Sequence, residues 1–337
     1  AVWMSADAAG GRSPGHRQNE PIWASLAERR MPFILHVGSA RIPIEDPWMN
    51  DGWPERATAR GGAEVIGSKD LSVIHFAAHT IVPESVANPL MYYRNNTCAT
   101  RNLLECCHEA GVKHFVFSST AAVYGTPESA QCWEDTPTRP INPYGSSKLM
   151  TEWMLRDLAK AGGPSYVALR YFNVAGCEPT GTIGQSTPKA TLLVKVACEA
   201  AVGRRPGVSI FGTDFPTPDG TGLRDYIHVE DLAAAHLDAL SYLRDGGKST
   251  TLNCGYGHGY SVRDVLAAVE RANGTPLNVT EEPRRPGDPP ELVAVAKKIR
   301  SVLGWTPKYD DLDTIVGTSL AWERKIANQD PEAYWAA

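Results

Sequence analysis

The pattern of apolar and polar positions changes near residue 70. From Leu71 onward, short apolar runs alternate with longer stretches of helical spacing. Ser72–Ala78 (SVIHFAA), Val112–Ser118 (VKHFVFS) and Tyr166–Asn173 (YVALRYFN) have strand length and are largely apolar, the pattern of strands buried on both faces. Between them, Pro89–Ala110 has helical spacing and stops at Gly111, and Pro143–Ala161 reads as a long helix ending at Gly162-Gly163. Strands alternating with helices longer than ten residues predict crossover units and a parallel sheet covered on both faces. Further on, Ala190–Ala201, Val229–Leu243, Ser261–Asn273 and Asp310–Asn328 are predicted helices, with Ser261 as an N-cap and Gly274 beyond that helix's end. Val208–Phe211 and Thr251–Cys254 are predicted strands, and EEPRRPGDPP (281–290) a loop. Before residue 71 only Pro32–Val37 (PFILHV) has a strand's pattern; the rest combines Trp, Arg, Gly and Pro without a period.

Composition narrows the class. At roughly 100–200 residues per domain, 337 residues suggest about two domains. Hydrophobic residues make up 42% and charged residues 21%, enough for a sizeable core under a soluble surface. The formal net charge of −5 argues against a nucleic-acid-binding protein, which carries a basic footprint. No apolar run is long enough to span a membrane, and the N-terminus lacks a secretory pattern. The seven cysteines form no CxxC pair and fall in apolar segments, so they read as reduced thiols of a cytoplasmic protein holding no metal.

The candidate chemistry lies at the start of the 143–161 helix. Tyr144 and Lys148 stand four residues apart in NPYGSSK, on one helical face. A free tyrosine titrates near 10, so a base working near neutrality needs about 4 kcal/mol in favour of the phenolate. A cation one turn away supplies stabilisation of that kind. A Tyr and a Lys at this spacing are, in most chains, a solvated surface pair. Here the preceding strand runs into Ser118-Ser119-Thr120, and ligands of open parallel sheets bind beyond the carboxyl ends of strands. A hydroxyl cluster there is more often a turn or cap, but in the same crossover unit as Tyr144 it suits a reacting alcohol.

VFSSTAAVYG, NPYGSSKLMTE and LRYFNVAG resemble the extended short-chain dehydrogenase/reductase family, as do SIFGTD, PDGTGLRDYIHVEDLA, NCGYG and RRPGDPP further on. The resemblance covers about residues 71–328. It implies a Rossmann-like, doubly wound parallel α/β sheet with a smaller α/β substrate-binding C-terminal part. Residues 71–174 would form the NAD-binding domain and 175–337 mainly the nucleotide-sugar-binding domain, interleaved with it. The implied activity is epimerisation at C4 of a UDP-sugar, UDP-glucose to UDP-galactose and back, with tightly bound NAD and a possible homodimer. Tyr144 would be the base, Thr120 would hydrogen-bond the sugar hydroxyl, and Lys148 would bind the nicotinamide ribose and favour the phenolate. Other cofactor contacts would be Phe76, Ala77, Ala78, Thr80, Asn96 and Phe172; the family often has Lys where Thr80 stands. Substrate contacts would be Asn173, Ser209, Ile210, Phe211, Arg224, Arg285 and Asp288. Forked guanidinium donors suit a pyrophosphate, while Ile210-Phe211 equally suits a core strand.

Residues 1–70 depart from the pattern. The family opens with a strand and a G-x-x-G-x-x-G turn, whose amides meet the pyrophosphate at a helix N-terminus. The nearest string, Gly61-Gly62-Ala63-Glu64-Val65-Ile66-Gly67-Ser68, carries Glu64 at the central glycine and has no strand before it. Gly38, after FILHV, lacks partner glycines. The first crossover unit is therefore expected to be atypical or missing. An altered reading frame would account for this, and translation of the coding sequence in all frames tests it. Alternative readings are a catalytically dead relative acting as a binding protein and a UDP-uronate epimerase or decarboxylase. A 4,6-dehydratase is disfavoured because Ala121-Ala122 supplies neither acid nor base after Thr120.

Overall fold

The structure is a computed structural model describing residues 2–5, 33–36, 71–187, 190–285 and 288–327. Gly38 and the 61–68 string lie outside the described residues. Six strands form the main sheet: β1 (Val2–Ser5), β2 (Phe33–His36), β3 (Ser72–His75), β4 (His114–Ser118), β5 (Ser165–Tyr171) and β6 (Thr250–Cys254). Their order across the sheet follows the chain, and β1 to β5 pair in parallel. Two strands thus precede β3, where only one was expected. A doubly wound sheet reverses its order beside its first strand; the described strands show no such reversal. Among the described residues no helix is long and apolar enough to cross a membrane.

The chain divides into two compact units that exchange segments, one of residues 1–123, 142–169 and 238–251, the other of 124–141, 170–237 and 252–337. The first holds β1 to β4, most of β5 and the long helix Pro143–Lys160. Phe115 and Phe117 of β4 and Tyr166 and Ala168 of β5 pack with Leu104, Cys107, Val112 and Leu155 on one face. On the other face the intervening Val116, Val167 and Leu169 are equally buried. Burial on both faces explains why these strands read as apolar runs rather than alternations. The predicted Pro89–Ala110 helix is continuous but contains a π-helical stretch, Tyr93–Cys98, between Pro89–Tyr92 and Ala99–Glu109.

In the second unit the chain leaves the main sheet within the predicted Tyr166–Asn173 strand. After Tyr171, Asn173–Ala175 pairs instead with Tyr226–His228. Val208–Phe211 pairs with Val279–Glu282, a fully exposed strand whose polar sequence hides it. Glu291–Ala294, after the Pro-rich loop, pairs with Gln131–Cys132 and Leu223–Arg224. Ser261 caps the Val262–Asn273 helix in a reciprocal capping box with Asp264, and Gly274 closes it with a φ of 80°.

Helices Leu193–Ala201 and Leu312–Ala327 enclose an ion network. Lys195 is bonded to Glu323 and lies 3.4 Å from Glu199, and Arg204 Nη1 donates to Glu323 Oε2 at 2.8 Å. Lys195 and Glu323 are buried. Glu323→Ala would leave the ammonium buried beside one remaining carboxylate. It is expected to cost about 3–5 kcal/mol in urea unfolding of this unit; a loss below about 1 kcal/mol would mean that the pair relaxes into solvent.

Candidate active site

Helix Pro143–Lys160 is started by local chemistry. Asn142 has extended backbone and its Oδ1 accepts Gly145 N at 2.8 Å, while Pro143 takes the first helical position, where no N–H is needed. Tyr144 therefore sits in the first turn, where the positive end of the helix dipole favours an anion. Tyr144, Lys148 and Glu152 form one stripe along the buried side, with Ser147 and Thr151 beside it.

The stripe faces the end of β4. Lys148 Nζ donates to the Ser118 carbonyl at 2.8 Å and lies 4.9 Å from the centre of the Phe117 ring. The Thr120 hydroxyl hydrogen-bonds the Tyr144 side chain, and its Oγ1 accepts Ala122 N at 3.1 Å. The Ser119 hydroxyl donates to Glu152 Oε1 at 2.5 Å. Tyr144, Thr120 and Lys148 are 8%, 7% and 3% exposed. Burial raises the Tyr144 pKa, and the Thr120 hydroxyl opposes that. Burial also lowers the Lys148 amine to about 7. Tyr144 and Lys148 are thus both held in surroundings that favour their neutral forms. Among the described residues two of the three Lys148 N–H donors have no hydrogen-bond acceptor. A buried lysine amine with free donors beside a phenol suits the hydroxyls of a nicotinamide ribose, so this end of the site fits NAD.

The other cofactor residues expected from the sequence fall in two places. Phe76, Ala77 and Ala78 directly follow β3, with Ala77 buried, and Thr80 is exposed. Asn96 is 2% exposed and its amide is engaged within the protein: Oδ1 accepts His79 N at 2.8 Å, and Nδ2 donates to His79 O and to Ser147 Oγ, both at 3.0 Å. It ties the loop after β3 to the long helix. Phe172 stands in the second unit, between the strands that end at Tyr171 and begin at Asn173.

The expected substrate residues are all in that unit. Ser209 Oγ is 3.0 Å from Thr280 Oγ1; Ile210 is 1% exposed and so closed off within its strand; Phe211 is 38% exposed with the Arg285 guanidinium 4.8 Å from its ring centre. Arg285 Nε donates to Asp288 Oδ2 at 3.0 Å, and Arg224 Nη1 to the Leu223 and Pro290 carbonyls. Burial lowers the Arg224 pKa, and the nearby Asp288 carboxylate opposes this. Arg224 is followed by Asp225, fully buried, whose carboxylate accepts the amides of Tyr256, Gly257 and Ala294. Burial pushes its pKa up to about 6 against those three bonds. A side chain at Gly255 would come within 2.7 Å of Asp225 Oδ2, so the hub needs glycine there. Sequence reading missed Asp225, Ser147 and Glu152. Only Glu152 had a readable signal, its eight-residue spacing from Tyr144.

The parallel α/β sheet thus carries a hydroxyl triplet at a strand's carboxyl end beside a buried Tyr–Lys stripe. The chain belongs to the NAD dependent epimerase/dehydratase family, whose sequence model matches residues 68–255. It is 60% identical over 255 residues to the UDP-glucose 4-epimerase of Azospirillum brasilense, covering 76% of this chain and 73% of that one. It is 48% identical over 251 residues to the enzyme of the same name from Streptococcus mutans, covering 74% and 75%. Among solved structures it is similar to UDP-glucose 4-epimerase from Bifidobacterium longum in complex with NAD+ and UDP. That match has a TM-score of 0.77 at 34% identity and covers 97% of this chain and 99% of that one.

Proposed function

We propose that this protein is an isomerase that interconverts UDP-glucose and UDP-galactose through transient oxidation at C4. The observation that carries the reading is the buried Tyr144–Thr120–Lys148 group, in a chain 60% identical to a UDP-glucose 4-epimerase. NAD, when bound, supplies an acceptor that takes the C4 hydride and later gives it back, so no net oxidation results. Tyr144 takes the proton of the 4-hydroxyl as the C–H bond breaks, and returns it when the 4-keto sugar is reduced on its opposite face. Thr120 shares its hydroxyl with Tyr144 and orients the reacting oxygen. Lys148 would hold the ribose hydroxyls of bound NAD with its free donors and, once charged, would steady the phenolate. Arg224 and Arg285 offer forked donors to the pyrophosphate and Asp288 accepts from ribose. Ala121 and Ala122, in the turn after Thr120, carry no group for the elimination that a dehydratase needs.

The purified protein is expected to convert UDP-galactose to UDP-glucose, with no accumulation of reduced nicotinamide in the near-ultraviolet. Assays with and without added NAD separate retained from exchangeable cofactor. Absence of UDP-glucose formation at saturating NAD would overturn the reading in favour of a binding protein.

A further inference from the structure

One buried acidic side chain is not used by the mechanism above. Glu152 is 5% exposed and Ser119, its partner, is fully buried. Burying a carboxylate is costly unless hydrogen bonds replace its water. The Ser119 hydroxyl donates to Oε1 at 2.5 Å, the short range of a charge-assisted bond. Ser119 N also donates to Leu169 O at 2.9 Å, so this residue is tied to β5 by its backbone and to the helix by its side chain. Its two neighbours are the groups that meet the catalytic stripe. The Ser118 carbonyl accepts Lys148 Nζ, and the Thr120 hydroxyl bonds Tyr144.

Resting on the epimerase reading, we infer that Glu152 is a positioning residue for this site. Its carboxylate grips the Ser119 hydroxyl and so holds Ser118–Thr120 against the helix, one turn beyond Lys148. That grip sets where the Ser118 carbonyl meets Lys148 and where the Thr120 hydroxyl meets Tyr144. Glu152 does not touch the reacting atoms. It acts through Ser119, and the pair works as one unit.

Four variants test this: Ser119→Ala, Glu152→Ala, Glu152→Gln and the double alanine. Ser119→Ala and Glu152→Ala are each expected to lower kcat about tenfold to a hundredfold, with KM for UDP-galactose within about twofold. The double variant should lose no more than the worse single one, as for two halves of one contact. Glu152→Gln keeps an acceptor for the Ser119 hydroxyl and should recover most of the loss. A readout independent of turnover is phenolate absorbance during pH titration, taken as wild type minus Tyr144→Phe. Tyr144 faces Thr120, Lys148 and Tyr92, and the Tyr92 hydroxyl, bonded to Glu84, titrates above the usual tyrosine range. Loosening Thr120 should move the Tyr144 titration to higher pH in Ser119→Ala. Unchanged kcat and titration in folded Ser119→Ala would overturn the inference. So would a Glu152→Gln as impaired as Glu152→Ala. If Glu152→Ala does not fold, Ser119→Ala, which removes one oxygen, decides. If the wild type shows no turnover, the epimerase reading fails and the titration alone judges the latch.

Discussion

Tyr144→Phe is expected to lower kcat for UDP-galactose by about 10³-fold or more, with nucleotide-sugar affinity changed by less than about threefold. The substitution removes one oxygen and keeps the ring in its buried place, so folding and shape are preserved. On the proposed mechanism, what disappears is the group that takes the 4-hydroxyl proton while hydride leaves. Thr120 cannot replace it, since a threonine hydroxyl has no ionised form near neutrality. Equilibrium binding of UDP separates the effects: intact affinity with lost turnover supports the base role, and an active variant would overturn it. With Tyr144 present, burial holds its pKa above the usual tyrosine value and Thr120 alone opposes. On the proposed mechanism the phenolate therefore needs a charged Lys148 and the positive helix terminus to offset desolvation.

Lys148→Met is expected to slow turnover by about 10²-fold at neutral pH and to move the rise of rate with pH to higher values. The sign follows from the base: it works deprotonated, and losing the cation raises its pKa. A pH–rate profile superimposable on the wild type would remove Lys148 from this role. Stability should behave oppositely to activity. Burial lowers the Lys148 pKa to about 7, below that of an unfolded lysine at about 10.4. Across the window from about 10 down to 7 the unfolded chain binds more protons, so this group costs stability as pH falls and imposes its full penalty below 7. Methionine carries no such penalty, so below neutrality the variant should melt no lower than wild type despite its lost activity. A variant that melts well below wild type there would show that the Ser118 bond outweighs desolvation.

The helix that carries both residues was legible in the sequence because its signals are local. Asn142-Pro143 starts it, Gly162-Gly163 ends it, and the four-residue spacing puts Tyr144 and Lys148 on one side. The N-cap at Ser261 was legible for the same reason, though its capping box with Asp264 was not read. Strands without a local signature were not. Val279–Glu282 exists because its backbone pairs with Val208–Phe211, although every residue in it is exposed. The break after Tyr171 was hidden because hydrophobicity along a strand does not say which sheet it pairs with. Asn173 N bonds the Asp225 carbonyl instead, a partner set by the fold.

The sequence by itself determined the parallel α/β class and the family motifs, and it singled out Tyr144, Lys148 and Thr120 as the candidate group, because each rests on short-range spacing. Only the tertiary structure decided the setting in which that chemistry works. It showed Lys148 bonded to the Ser118 carbonyl, Asn96 engaged by the loop after β3, Ile210 closed off from ligand, and Glu152 gripping Ser119. Those facts depend on contacts between residues far apart in the chain, and desolvation, the largest influence on the pKa of Tyr144 and of Lys148, is a property of such contacts alone.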